Sequence, residues 1–258
     1  MAKARRRTRG QARRIGSLLA LFAAPLTAAL VWFGLPDPAD YLRAEPKTTA
    51  LIEQRKQEAK ERSRPYQVRR TVVRLGEVAP VLAQAVLLSE DARFWAHEGF
   101  DWKELKDAAE RDLESGSFER GGSTITQQLA KNLYLGTKKS LWRKAKEAIL
   151  TVKMERALDK ERILELYLSV VELGPGVFGV EAGAQHHFQV SAARVRPHQA
   201  ALLAAMLPAP RKADVHHPTP KLASRARRIL RLLAASHTLS AAEYSEESRA
   251  LEELLGPP

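Results

Sequence analysis

Apolar and polar positions along this chain repeat mostly with the period of a helix. Residues 15–35, IGSLLALFAAPLTAALVWFGL, break the repeat, because no charge interrupts their 21 positions. As a helix rising about 1.5 Å per residue, that run covers roughly 30 Å, the hydrocarbon thickness of a bilayer. Pro25 is tolerated in a membrane helix, and Trp32 and Phe33 sit where an interfacial aromatic would. The run is long for a signal peptide, and Leu35-Pro36-Asp37-Pro38 offers no small-x-small cleavage site. The pattern therefore predicts an uncleaved anchor. PDPADYLRAEP (36–46) reads as its proline-punctuated exit, and 47–64 as a solvated helix ended by Pro65. QVRRTVVRL (67–75) reads as a short β-branched strand.

Helical spacing then dominates. Ala79, Leu82, Ala83, Val86 and Leu87 form one apolar stripe leading to Glu90. There the helix is expected to stop, since Phe94, Trp95, Gly99 and Phe100 read as a loop. DWKELKDAAERDLESG (101–116) opens with Asp101 as N-cap and Glu104 three residues on, the pattern of a capping box. Ser123, after a glycine-rich turn, is the expected N-cap of a helix running to about Leu135. Leu141, Ala145, Ala148, Ile149 and Val152 are the expected buried stripe of the next helix. A helix over 160–173, a flexible GPGVFG (174–179), helices at 197–207 and 219–235, and a helical, peripheral tail at 237–258 complete the pattern. With no repeat, heptad array or βαβ alternation, the fold class is mainly α with a minor strand component.

Charge changes the picture at one end. The net charge is +12, but residues 1–14 carry seven cations and no acid, which leaves about +5 for the rest. A basic tail before an apolar span predicts a cytoplasmic N-terminus with the remainder outside. Nucleic-acid binding is disfavoured, because aromatics and cations do not interleave outside the tail. The absence of cysteine excludes disulfides, thiolate metal sites and a cysteine nucleophile.

Candidate chemistry concentrates in residues 90–147. Glu90 and Glu147 bracket a glycine turn, the polar run Ser123-Thr124-Ile125-Thr126-Gln127-Gln128, and the cations Lys131, Lys138, Lys139, Arg143, Lys144 and Lys146. Two carboxylates beside clustered cations suit sugar transfer from a phosphate-activated donor: one acid takes a proton from the attacking hydroxyl while the cations neutralise the departing phosphate. Plainer readings compete with this one. Glu147 has Arg143 at i−4 and Lys144 at i−3, an ordinary helix pairing, and a charge run is usually a solvated face. The histidines form no H-x-x-x-H pattern, so no metal ligands are assigned. No G-x-S-x-G elbow or P-loop is present.

The runs EDARFWAHEG (90–99), GGSTITQQLAKN (121–132), RKAKE (143–147), KERILELYLSVVELGPGVFGVEAGAQHHF (160–188) and QAALLAAMLPAPRK (199–212) resemble the glycosyltransferase family 51 domain of peptidoglycan synthesis. The likeness covers about residues 65–235. It implies a lysozyme-like α fold with a membrane-dipping jaw, borne on a single N-terminal transmembrane helix. The implied layout is a basic cytoplasmic tail (1–14), anchor (15–35), juxtamembrane linker (36–64), glycosyltransferase domain (65–236) and C-terminal tail (237–258). With no room for the second catalytic domain of a bifunctional penicillin-binding protein, it is similar to monofunctional peptidoglycan glycosyltransferases.

That resemblance also implies roles. Glu90 would deprotonate the acceptor's 4-hydroxyl, and Glu147 would position the donor or assist the leaving group. Ser123, Thr124, Gln127, Gln128, Lys131 and Asn132 would line the substrate. Arg143, Lys144 and Lys146 would meet the pyrophosphate, with Lys139 standing where the family often has arginine. Ser169 replaces the asparagine of the family's YLN, at a position that reads as structural. The implied partners are lipid II, polyprenyl-pyrophosphate-linked glycan, the membrane and other cell-wall synthesis proteins, with no nucleic acid. No cofactor is required, although a divalent cation, Mg or Mn, is compatible with the chemistry. The implied location is the cytoplasmic (inner) membrane, single-pass, with the catalytic domain on its outer face. A lytic peptidoglycan-cleaving enzyme and a non-catalytic membrane-anchored scaffold are the alternatives.

Overall fold

The computed structural model describes residues 31–115, 122–138 and 140–255, without the side chains of 109 and 111–115. Most of the expected anchor, 15–30, lies outside the described residues, which continue it only as a helical stretch at 31–34. No helix among the described residues is long and apolar enough to cross a membrane. Residues Pro38–Pro258 form one compact unit, which takes in both the expected juxtamembrane linker and the C-terminal tail.

The unit is mainly helical, as its sequence periodicity requires. Its centre is helix α8 (Pro197–Met206), whose Ala200–Met206 run is buried all round. A helix apolar on every face has to be enclosed. Here α2 (Pro80–Glu90) and α9 (Pro220–Ala235) enclose it. Leu82, Ala85, Val86 and Leu87 of α2 are buried, close to the expected stripe, and the helix stops at Glu90 as expected. A second group is built on α4 (Ile125–Ala130), packed between α5 (Leu141–Ala157) and α6 (Lys160–Val170).

Several expectations need correction. Helix α1 (Ala50–Glu61) is not simply solvated, because Leu51, Ile52 and Arg55 are buried. The short strand expected at 67–75 is only two residues, β1 (Arg69–Arg70). The helix from 160 ends at Val170, and the segment expected to be flexible forms the buried hairpin β2 (Glu172–Gly174) and β3 (Val177–Phe178). β3 is central, antiparallel to β2 and parallel to β1. Gly176 turns this hairpin at φ +78°, and a Cβ there would lie 2.2 Å from the Gln67 carbonyl oxygen. Only glycine fits.

Helix α5 differs most. Its buried positions are Glu147, Leu150, Thr151 and Met154, while Leu141 is 92% exposed and Ala145 is exposed. The helical period was legible, but the apolar stripe does not mark the inner face. That face carries an acid and a threonine, and Thr151 Oγ1 donates to the Glu147 carbonyl oxygen at 2.8 Å.

Nor is the C-terminal helix α10 (Ala241–Leu255) peripheral. Its buried Glu247 accepts from Arg196 Nε at 3.0 Å and from the His198 backbone at 3.1 Å, and its Oε2 lies 2.5 Å from His198 Nδ1. Burial resists charge on Glu247, yet the bonds from His198 and Arg196 hold its carboxyl below the usual range. A depressed carboxyl contributes stability above its unfolded value and loses it as pH falls through the folded one. Glu247→Gln is therefore expected to cost about 1–3 kcal/mol at neutral pH. In urea titrations the gap to the parent should close on acidification; a gap that persisted at acid pH would mean the ionised pair is not its source.

Candidate active site

Glu90 closes α2 as a partly buried carboxyl. Burial pushes its pKa up; the hydrogen bond from Gln128 and the charges of Arg225 and Lys131 pull it down, while Asp91 adds to the rise. The net result is a raised carboxyl, a state suited to accepting a proton near neutral pH. Gln128 Nε2 donates to Glu90 Oε2 at 2.9 Å, and the hydroxyl of the fully buried Tyr167 donates to Gln128 Oε1 at 3.2 Å.

The next residue holds this corner together. Asp91 Oδ2 accepts from Ile125 N at 2.9 Å, and Oδ1 lies 2.8 Å from His97 Nε2. The end of α2 is thus tied to the start of α4. Thr124 Oγ1 donates to the Gly99 carbonyl oxygen at 2.7 Å, and Gly99, at φ +85°, lies so close to α5 that a Cβ would meet Thr151 Cγ2 at 2.6 Å. Asp91 and Thr124 thus tie down the loop between Glu90 and residue 101, with Gly99 lying close against α5.

The polar run divides its labour. Thr124, not Ser123, is the N-cap of α4, forming a capping box with Gln127, whereas Ser123 is exposed. The signal was in the sequence: Thr124-x-x-Gln127 satisfies the box, and a cap at Ser123 would place Thr126 at its third position. Thr124 and Gln127 thus turn their side chains to the backbone. Thr126 donates to Glu155 Oε1 at 2.5 Å, and Lys160 pairs with the same oxygen at 2.8 Å. Glu155, Lys160 and Arg225 were not anticipated, because only chain folding brings them here.

After Ala130 the helix widens into a π-turn, Lys131–Leu135, ended by Gly136 at φ 68°. Such turns recur at functional sites. Burial pushes the Lys131 ammonium below its usual pKa; Glu147 and Glu90 both oppose that shift, and Arg143 and Lys144 add to it. One lysine thus lies in the field of both candidate acids. Asn132 beside it is buried.

Glu147 is 3% exposed and held by both expected helix partners, Arg143 and Lys144, each at 2.5 Å. Arg143 Nε is buried without a hydrogen-bond partner among the described residues. Lys146 lies over the Trp142 ring, 5.6 Å from its centroid. Lys138 is exposed, and Lys139 lies outside the described residues. Ser169 is buried, its hydroxyl donating to the Val73 carbonyl oxygen at 3.2 Å and accepting from Val73 N at 3.3 Å, a structural link between α6 and the segment after β1.

Among the described residues, Asp91, His97 and Asp101 bring three ligand-type atoms within 4.8 Å of one another. Their groups are already engaged. Asp91 serves Ile125 and His97, while Asp101 Oδ1 caps Glu104 N at 2.9 Å and Oδ2 lies 3.4 Å from Arg93 Nε. With a guanidinium alongside, the group acts as a structural staple and does not fit a divalent cation.

The described geometry unites a desolvated carboxyl, a half-buried lysine and a cation-flanked second acid. The family described as Transglycosylase matches residues 55–234. A "Biosynthetic peptidoglycan transglycosylase" of Laribacter hongkongensis is 47% identical over 171 residues, 66% of this chain and 75% of the relative. Proteins of the same name from Chromobacterium violaceum (51% over 158 residues, 61% and 69%) and Nitrosospira multiformis (42% over 191 residues, 74% and 83%) are also similar. All the described site residues lie within the matched span, and the chain belongs to the transglycosylase family.

Proposed function

We propose that this protein polymerises peptidoglycan glycan strands, transferring a growing lipid-pyrophosphate-linked glycan onto the 4-hydroxyl of lipid II. The observation that carries this reading is Lys131, half-buried in the field of both Glu90 and Glu147. It links the proton-accepting Glu90 electrostatically to Glu147 and its cations. Glu90 takes the hydroxyl proton as the acceptor oxygen bonds to the donor's C1 from the face opposite the leaving group. The C1–oxygen bond breaks with its electrons going to the pyrophosphate, and the new link is β-1,4 with inversion.

The cations receive that charge. Arg143 Nε, a buried donor without a partner among the described residues, suits a phosphate oxygen. Glu147, clamped by Arg143 and Lys144, serves by holding those cations in place. Ser123, Gln128, Lys131 and Asn132 are the substrate-lining residues of this reading, and Lys146 completes the cationic wall. The fold is read as lysozyme-like. The exposed Leu141 and Trp142 suit a lipid-facing jaw, consistent with an N-in anchor and a catalytic domain outside the cytoplasmic membrane.

Purified protein given lipid II tests the reading. Polymer is expected; soluble fragments from finished peptidoglycan would favour a lytic enzyme, and neither product a scaffold. Lys131→Ala is expected to lower kcat/KM by the equivalent of about 1–3 kcal/mol, one charged hydrogen bond, with folding retained. Parent-like kinetics in that variant would reduce Lys131 to packing.

A further inference from the structure

We infer that Tyr167 is a positioning residue for transfer, acting through Gln128 to hold the Glu90 carboxylate in the orientation that accepts the proton. The inference rests on Glu90 being the base. Tyr167 sits on α6 with no exposed surface, so it cannot touch the substrate. A buried phenol hydroxyl needs a partner, and many find a backbone carbonyl. This one instead donates to the side-chain amide of Gln128 at 3.2 Å, whose nitrogen donates to Glu90 Oε2 at 2.9 Å. The donors run in one direction, phenol to amide to carboxylate, and each bond polarises the next. With the amide on Oε2, the acceptor's hydroxyl is presented to Oε1.

Burial, reinforced by the charges of Glu90 and Asp91, pushes the Tyr167 pKa up, so the phenol keeps the proton it donates. The other groups acting on Glu90 come from different elements: Lys131 from the π-turn, Arg225 from α9, and Asp91 beside it. Two of these are cations that fix its charge without fixing its orientation. The uncharged chain from α6 supplies direction. A ring that only filled space would be served equally by phenylalanine, but phenylalanine lacks the hydroxyl that donates to Gln128 Oε1.

The test measures lipid II polymerisation against pH for the full chain, Tyr167→Phe, Gln128→Leu and the double variant, with thermal stability recorded for each. Loss of a donor chain to an ionised carboxylate raises the carboxyl's pKa, so the acid limb should move to higher pH in Tyr167→Phe and further in Gln128→Leu. The kcat of Tyr167→Phe should fall on the order of 3- to 10-fold with KM little changed. The double variant should be no slower than Gln128→Leu alone, because Tyr167 acts through that amide. An unmoved acid limb, or multiplying losses in the double variant, overturns the inference. Should Tyr167→Phe fold poorly, Gln128→Leu still decides, since an unshifted limb there removes the chain's purpose. Normal polymerisation by Glu90→Gln in the same series would instead remove the base assignment, and the inference with it.

Discussion

Replacing Glu90 by glutamine is expected to lower lipid II polymerisation by about 10²- to 10⁴-fold, the usual cost of losing a general base. Glutamine keeps the size and still accepts a hydrogen bond, but it cannot take the acceptor's proton. The fold should not suffer. Burial raises the Glu90 pKa, and a carboxyl raised on folding stabilises the native state at low pH and loses that contribution as pH rises through the folded value. At neutral pH its charge therefore opposes folding, and the variant should be at least as stable as the parent. The same shift places the acid limb of the parent's pH–rate profile above the ordinary carboxylate range. Polymer assays at matched thermal stability decide the point: near-parent rates would reassign the base, and a marked loss of stability would show that Glu90 is a structural anchor.

The second large effect concerns the fold around β2. Arg55→Leu is expected to lower the unfolding free energy by about 3–5 kcal/mol, because removing one partner strands the other charge in the interior. Arg55 Nε and Nη2 each reach Glu172 at 2.9 Å, and both residues are almost fully enclosed. Glu58 adds a contact at 3.1 Å and is itself met by Arg211 at 3.2 Å. One guanidinium thus fastens α1 to the hairpin strand that follows α6. Urea unfolding of Arg55→Leu, Glu172→Leu and the double variant is the measurement. The double variant should recover much of the loss, since no unpaired charge remains. A single-variant cost under about 1 kcal/mol would class the pair with weak surface links.

This pair also marks where sequence reasoning stopped. Periodicity placed most helices of the unit from Pro80–Glu90 to Pro220–Ala235, though not Val180–Phe188, because an amphipathic or wholly apolar run has few ways to hide itself in water. It failed where burial was polar. In α5 the inner face carries Glu147 and Thr151, satisfied by Arg143, Lys144 and the helix backbone, while Leu141 is exposed. Arg55 and Glu172 lie far apart in sequence, so neither their pairing nor the burial of α1 could be read from spacing.

The candidate site divides the same way. Glu90, Lys131 and the Arg143–Glu147 pairing were legible, because local motifs and i, i+4 geometry carry them. By itself the sequence determined the helical class and the family and nominated candidate reacting groups, since those depend on residue types at short spacing. Tertiary structure alone decided that Gln128 turns to Glu90, that Tyr167 and Arg225 arrive from other helices, and that Lys131 lies in the field of both acids. Hydrogen-bond partners and pKa shifts depend on distance and burial in space, and those quantities do not exist until α2, α4, α5, α6 and α9 have packed.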